Sequence, residues 1–365
     1  MKVPATFTEY FASLGKEGQQ QVIELLMAMM ESPSTGFGQA ESEVASNRVV
    51  ACCACGSSHV RANGKLKGVQ RYWCGDCGKH FSETTGKVTW NLQKKEKLGE
   101  YLHHMLSGHS IKRCAQLTGV AIQTSFDWRH KILGAFSEAV PEGFEGITES
   151  DDIFFLHSEK GSHNLQRKPR KRGSGASKRG ISDEQVAVVA TCDRKGNKEM
   201  VVTARGRISK KDLDRVLGGK LEKTETLCTD SHRSYTAFAK GKGLAHKKFN
   251  ASKGQRITDK AYHVQNVNNT AKRLRQWMGP FNGVSTKYLQ NYLNWFMVLD
   301  KIKNSNERLN QFALYACMAA NSWNTWRTVV GSVGIYNKAL FFNTYLILLK
   351  SFLAILIMAL FGSIL

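Results

Sequence analysis

The sequence predicts a multidomain protein in which a small cysteine module and a helical segment precede an α/β domain built on a mixed sheet. Three observations carry that expectation. Two C-x-x-C pairs stand close together between residues 52 and 77. The stretch from 94 to 136 places apolar residues at helical spacing between glycines. From Gly146 onward, β-rich runs give way to helical patterns, as a sheet flanked by helices requires.

Bulk composition limits what such a chain can be. With 365 residues, 42% hydrophobic and 22% charged, it has room for two or three domains and is not disordered. Lysine and arginine number 52 against 30 acids, a formal charge of +22. That excess favours a polyanion, because each neutralised phosphate releases counterions. A membrane surface or ribosome-like adhesion gives the same number, and nucleic acid is the expected partner. Cys53, Cys114, Cys192, Cys228 and Cys317 are scattered singly, as in a reducing cytosol. The N-terminus, "MKVPATFTEYFASLGKEGQQ", has no apolar signal region. A cytoplasmic, nucleoid-associated protein is expected.

Taken in order, residues 1–49 form an N-terminal segment with a helix over 17–31, closed by Ser-Pro-Ser-Thr-Gly. In the module at 50–82, Cys52 and Cys55 precede Cys74 and Cys77. Two knuckles at that separation bring four thiolates around a tetrahedral zinc, with Gly56 and Gly78 turning the chain behind each pair. Cys53, between the first two ligands, is not expected as one, and His59 and His80 are weak alternates. Such a zinc is structural, because all four positions are taken by protein.

The 93–136 segment reads as three helices: "KKEKLGEYLHHMLSG", "SIKRCAQLTG" and "AIQTSFDWRHKILGAF". The second and third meet at "TGV", with Ile111, Leu117, Val120, Ile122, Phe126 and Ile132 on the inner face. This is a helix-turn-helix pattern, and Gln123, Thr124, Ser125 and Arg129 are its candidate DNA contacts.

Strands are expected at "ITESDDIFFLH", "EQVAVVATCDR", "NKEMVVTARG" and "TETLCTDSHRSY". "SKKDLDRVLGG" is a short helix and "AYHVQNVNNTAKRLRQWMG" a long one. Between the first two strands lies "RKPRKRGSGASKRG", whose Arg167, Lys168, Arg170, Lys171, Arg172, Lys178 and Arg179 are candidate contacts to a phosphate backbone. Asp151 lies in one strand and Asp230 ends another, and such hard oxygen donors suit magnesium or manganese. Strand alternation puts Glu149 on the same face as Asp151, as a reserve ligand, with Asp152 opposite.

With these residues in hand, the chain resembles bacterial insertion-sequence transposases of the DDE superfamily, in the branch with an N-terminal zinc ribbon and helix-turn-helix. The likeness rests on the cysteine module, "GITESDDIFFL", "KPRKRGSGASKRGISDEQVAVV", "LCTDSHRSY", "YHVQNVNN" and "FNGVSTKYLQNYLNWF", across roughly residues 50–300. The resemblance implies a ribonuclease H-like catalytic domain over 145–304 that cuts and rejoins DNA at element ends with Mg or Mn. It also implies a homo-oligomer on double-stranded DNA, since two ends must be paired. Carried across residue by residue, the family's first acid falls on Asp151, its second on Asp230 and its third position on Asn268. The basic residue that follows, often lysine, falls on Arg275. Residues 268, 272 and 275 share one helix face, so Lys272 joins the stripe toward DNA. Asn268 brings one negative charge fewer than an acidic triad, and arginine at 275 keeps the charge and changes its geometry.

A helical extension is expected at 305–338. The likeness fades after about residue 327, and the apolar tail at 339–365 is interrupted by Lys350. A membrane segment, a buried helix and a frame-altered tail without function all fit it, the last best, and no membrane role is expected. The rival to a transposase is a DNA-binding regulator or inactive remnant with the zinc ribbon and helix-turn-helix but no chemistry.

Overall fold

A computed structural model describes residues 50–318 apart from 67, 83, 166–167, 170, 172–173, 250–256 and 259–260. The expected helix at 17–31, the tail, and Arg167, Arg170 and Arg172 lie outside the described residues.

The cysteine module folds as a three-stranded antiparallel sheet of β1 (Val60–Leu66), β2 (Val69–Cys74) and β3 (His80–Ser82). Its own core is only Cys52, Cys74 and Phe81, with Tyr72 stacked on Phe81 at 5.5 Å. So small a core buries too little apolar surface to hold the module by itself.

Three helices follow: α1 (Leu98–Leu106), α2 (Ile111–Thr118) and α3 (Ile122–Ala135). Ser110 caps α2 by accepting the Arg113 N–H, and Gly119 closes it in the left-handed region. That leaves three residues, 119–121, between α2 and α3. The C-terminal half of α3 is buried from Trp128 through Ala135. It is covered by α7 (Leu289–Lys301) and α8 (Arg308–Met318), with Phe136 against Phe312 at 5.1 Å between centroids. The trio therefore has no separate core, and its apolar residues are continuous with one face of the large sheet.

That sheet runs in the order β6-β5-β4-β7-β8, with β4 (Glu145–Leu156) in the middle. β5 (Gln185–Asp193) and β6 (Lys198–Arg205) extend it antiparallel on one side. On the other side β7 (Lys223–Asp230) lies parallel to β4, and β8 (Ala245–Phe249) parallel to β7. The sheet is mixed, as the sequence predicts. β5 reads as an unbroken apolar run because both its faces are covered. Val186, Val188, Ala190 and Cys192 enter the core shared with α6 (Gln265–Met278), α7 and α8. Ala187 and Val189 enter a second core with α4 (Lys210–Leu217) and α5 (Arg233–Lys242). Helix α4 starts at a capping box in which Ser209 and Asp212 satisfy each other's backbone N–H. A two-stranded ribbon of β9 (Ile257–Thr258) and β10 (Tyr262–His263) leads into α6. No helix among the described residues is long and apolar enough to cross a membrane.

Candidate active site and metal centre

Two neighbouring parallel strands bring the first two candidate acids together. Ser150 of β4 pairs with Thr229 of β7, so Asp151 and Asp230 occupy the next position on each strand. Adjacent strands run about 4.8 Å apart, and residues at matched register point to the same face. Asp151 is raised to about 6, first by burial and then by the negative charges of Asp230 and Asp152. A bond from the Asp152 N–H and the charge of Arg275 pull the other way. Asp152, on the opposite face, is also raised to about 6, by burial and by Asp230, despite a 2.6 Å bond donated by Tyr235 Oη.

Crowded carboxylates suit a divalent ion, which supplies concentrated positive charge and prefers hard oxygen donors. An Asp whose pKa is raised on folding holds its proton more tightly in the folded chain. Ionising it above about pH 6 therefore costs stability that is not lost at pH values below the unfolded carboxyl range. In chelator, Asp151→Asn is expected to be more stable than the wild-type protein at pH 8, by about 3 kcal/mol. The gap narrows as pH falls below about 6 and closes below the unfolded carboxyl range, and thermal melts across that range check it.

Helix α6 packs over β4 and β5 through Val267, Thr270, Ala271, Leu274 and Met278. That face leaves Asn268, Lys272 and Arg275 exposed in one stripe, and Arg275 is the member within electrostatic reach of Asp151. The helix is fixed from below by a charge network at Asp300, which takes Lys198 Nζ at 2.7 Å and the Arg273 guanidinium. These partners hold the Asp300 carboxyl down at about 2, against its burial.

Glu149 corrects an expectation. It shares the face of Asp151, as strand alternation requires, but it is fully buried and its oxygens are already committed. Oε2 accepts the Asn266 and Val267 backbone N–H groups at 2.9 and 3.0 Å, and Oε1 accepts Asn266 Nδ2 at 3.0 Å. Arg194 Nη1 lies 2.7 Å from Oε1. It is a cap for α6 and not a reserve ligand.

The helical trio corrects three more. Ser125 is buried, its hydroxyl donating to the Ile111 carbonyl at 2.8 Å. Arg129 is buried too, donating from Nη2 to the His109 carbonyl and lying over the Trp295 ring at 4.7 Å. Neither reaches a surface: Ser125 is enclosed by Tyr101 of α1 and Ile111 of α2, and Arg129 by Trp295 of α7. Ile122, expected inside, is 58% exposed. Gln123 is exposed and Thr124 half-buried. In the basic loop Lys168, Lys171, Lys178 and Arg179 are exposed.

At the other end of the described chain, Cys52, Cys55, Cys74 and Cys77 place their sulfurs within 4.8 Å of one another. The closest pairs, Cys52–Cys77 and Cys55–Cys74, are 3.5 and 3.6 Å apart. Four sulfurs at zinc bonding distance of ~2.3 Å stand about 3.8 Å apart at the corners of a tetrahedron, so the cluster fits that ion. Each pair folds the same way: Gly56 N–H bonds the Cys52 carbonyl and Gly78 N–H the Cys74 carbonyl, at 2.8 and 2.9 Å. Both glycines take positive φ, +78° and +68°, which a side chain rarely adopts. Cys53 and His80 stay out of the cluster, and His59 is turned to Asp76 at 3.0 Å.

Residues 144–297 match the family model of the ISXO2-like transposase domain. A protein of Halobacterium salinarum, described as an uncharacterized protein in transposable element ISH50, is 25% identical over 253 residues, covering 68% of this chain and 84% of that relative. Among solved structures, the Mos1 strand transfer complex aligns over 66% of this chain and 78% of its own at 12% identity, with a TM-score of 0.24. The mariner Mos1 paired end complex with Mg covers 68% and 81% at 12% identity and a TM-score of 0.20. Scores of that size carry nothing about this chain.

Proposed function

We propose, from the match of residues 144–297 to the ISXO2-like transposase domain, that this protein binds the ends of an insertion sequence and catalyses metal-dependent phosphodiester hydrolysis and strand transfer there. The observation that carries the proposal is the pairing of Asp151 and Asp230 at neighbouring positions of two parallel strands. The strand order β6-β5-β4-β7-β8, in which the first three strands of the domain are antiparallel and the later two parallel, supports the ribonuclease H-like reading.

In this reading Asp151 and Asp230 hold Mg²⁺ or Mn²⁺, with the amide oxygen of Asn268 as an uncharged third donor. When bound, such ions activate water or a 3′-hydroxyl and stabilise charge on the phosphodiester oxygens. Lys272 and Arg275 meet the scissile strand's phosphates from the exposed stripe of α6. The four cysteines hold a structural zinc. Gln123 and Thr124 at the start of α3, with Lys112, Arg113 and Gln116 exposed on α2, form the face of a helix-turn-helix toward duplex DNA. Pairing two ends calls for at least two protomers.

The test is a strand-transfer assay with end-containing DNA and Mg²⁺ or Mn²⁺. Joined product supports the proposal. Binding without any cleavage favours the second reading, a DNA-binding remnant, which Asn268 in place of an acid keeps in play.

The basic loop between β4 and β5 contributes affinity without base selectivity. Replacing Lys168, Lys171, Lys178 and Arg179 by glutamine is expected to weaken binding equally for all sequences. The slope of log K against log salt flattens by about 0.9 for each phosphate no longer neutralised. Filter binding from 50 to 200 mM salt, a range over which such charges change affinity by orders of magnitude, checks this.

A further inference from the structure

Helix α6 has no capping side chain at its N-cap position, and one first-turn N–H, that of Gln265, meets His263 Nδ1 at 3.2 Å. Its N-cap position is Val264, which has no polar atom to offer, yet the first turn carries further N–H groups that need acceptors. Those acceptors come from another element. Glu149 on β4 takes the Asn266 and Val267 N–H groups on one oxygen and the Asn266 amide on the other. Arg194, beyond the end of β5, supplies the counter-charge, and His263 Nδ1 stands 3.3 Å away on the approach to the helix. The carboxylate is at most 1% exposed.

The bridge has a specific placement. Glu149 is two residues before Asp151 on the same strand face. Asn266, which it grips by both backbone and side chain, is two residues before Asn268. We propose that Glu149 is a positioning residue: by clamping the first turn of α6 to β4 it sets Asn268 at a fixed height beside the Asp151–Asp230 pair. This inference rests on the transposase reading above. Glu149 touches neither ion nor DNA, because its two oxygens are occupied by protein donors. A neutral donor-acceptor group in its place would turn an NH₂ toward at least one N–H donor and loosen the turn.

A purely structural role would weaken the fold without coupling to Asn268, and a double-mutant cycle separates the two. The measurement is Mn²⁺ binding to the full chain, followed by the free-ion EPR signal, for the wild type, Glu149→Gln, Asn268→Ala and the double variant. Glu149→Gln is expected to weaken Mn²⁺ binding about tenfold, the size of effect seen when the support of a ligand is removed. In the Asn268→Ala background the same change costs less than about twofold, because the group it positions is already gone.

Circular dichroism in chelator verifies that each variant is folded. Should Glu149→Gln fail to fold, Glu149→Asp replaces it under the same criteria, since it keeps the charge and shortens the reach by one methylene. An equal loss in both backgrounds, or none in either, overturns the positioning role. Failure of the wild-type protein to cleave end DNA would instead strike the transposase reading, so the two failures are told apart.

Discussion

Asp151→Asn and Asp230→Asn are each expected to cut metal-dependent cleavage of end DNA by at least about a thousandfold, some 4 kcal/mol of transition-state stabilisation. The reason is positional as much as electrostatic. The two acids stand at matched positions of adjacent parallel strands, so in the proposed function each supplies half of a two-handed grip on a cation. An amide at either place keeps the shape but removes a charge that the ion needs. Affinity for end DNA is expected to stay within about twofold in either variant, or to rise, because removing a negative charge does not weaken attraction to phosphate. Gel-shift and cleavage assays on the same preparations check both halves. Wild-type cleavage rates in either variant would remove these two residues from the chemistry.

The second large effect concerns the cysteine cluster. Purified protein is expected to carry about one zinc per chain, and Cys74→Ser, or a strong chelator, to unfold residues 50–82 while the large sheet persists. The module's buried core is two of the ligands themselves and Phe81. Zinc bound to such thiolates contributes on the order of 10 kcal/mol of apparent folding energy, far more than so small a core supplies. Metal analysis together with hydrogen exchange checks it. Rapid exchange should be confined to β1–β3, with β4 and β5 still protected. A metal-free module that remains protected would show the fold needs no ion.

How much of this is legible in the sequence depends on whether a feature is local. The C-x-x-C pairs and their glycines declare themselves within a few residues, and the structure gathers all four sulfurs. Strands β5 and β6 are legible because their apolar runs are long and bounded by turn residues. Helix α5 and strand β8 are not. "RSYTAFAKGK" carries a glycine and three basic residues, and "AHKKF" is a polar edge strand whose neighbour is known only from the sheet.

Features set by distant contacts mislead most. The polar residues of α3 suggest one phase for the helix, whereas packing decides another: α1 and α2 enclose Ser125, Trp295 of α7 lies against Arg129, and Ile122 is left outward. Alternation alone places Glu149 on the correct face. Its occupation by the start of a helix 117 positions later has no local signature. Asp151 and Asp230 stand out by resemblance to a family. Their adjacency is a property of strand pairing that no spacing along the chain encodes.

The closing of α3 by α7 and α8 has a consequence for how the molecule comes into being. A ribosome releases α1–α3 early, with Trp128, Ile132, Leu133 and Phe136 still lacking the surfaces that cover them. Those surfaces, Trp295 and Phe312 among them, are translated near the far end of the described chain. The part that would search for DNA thus matures only after the part that would cut it has been synthesised. If the trio reads DNA as proposed, a prematurely terminated polypeptide yields no finished reader that could occupy element ends without the proposed cutting domain attached.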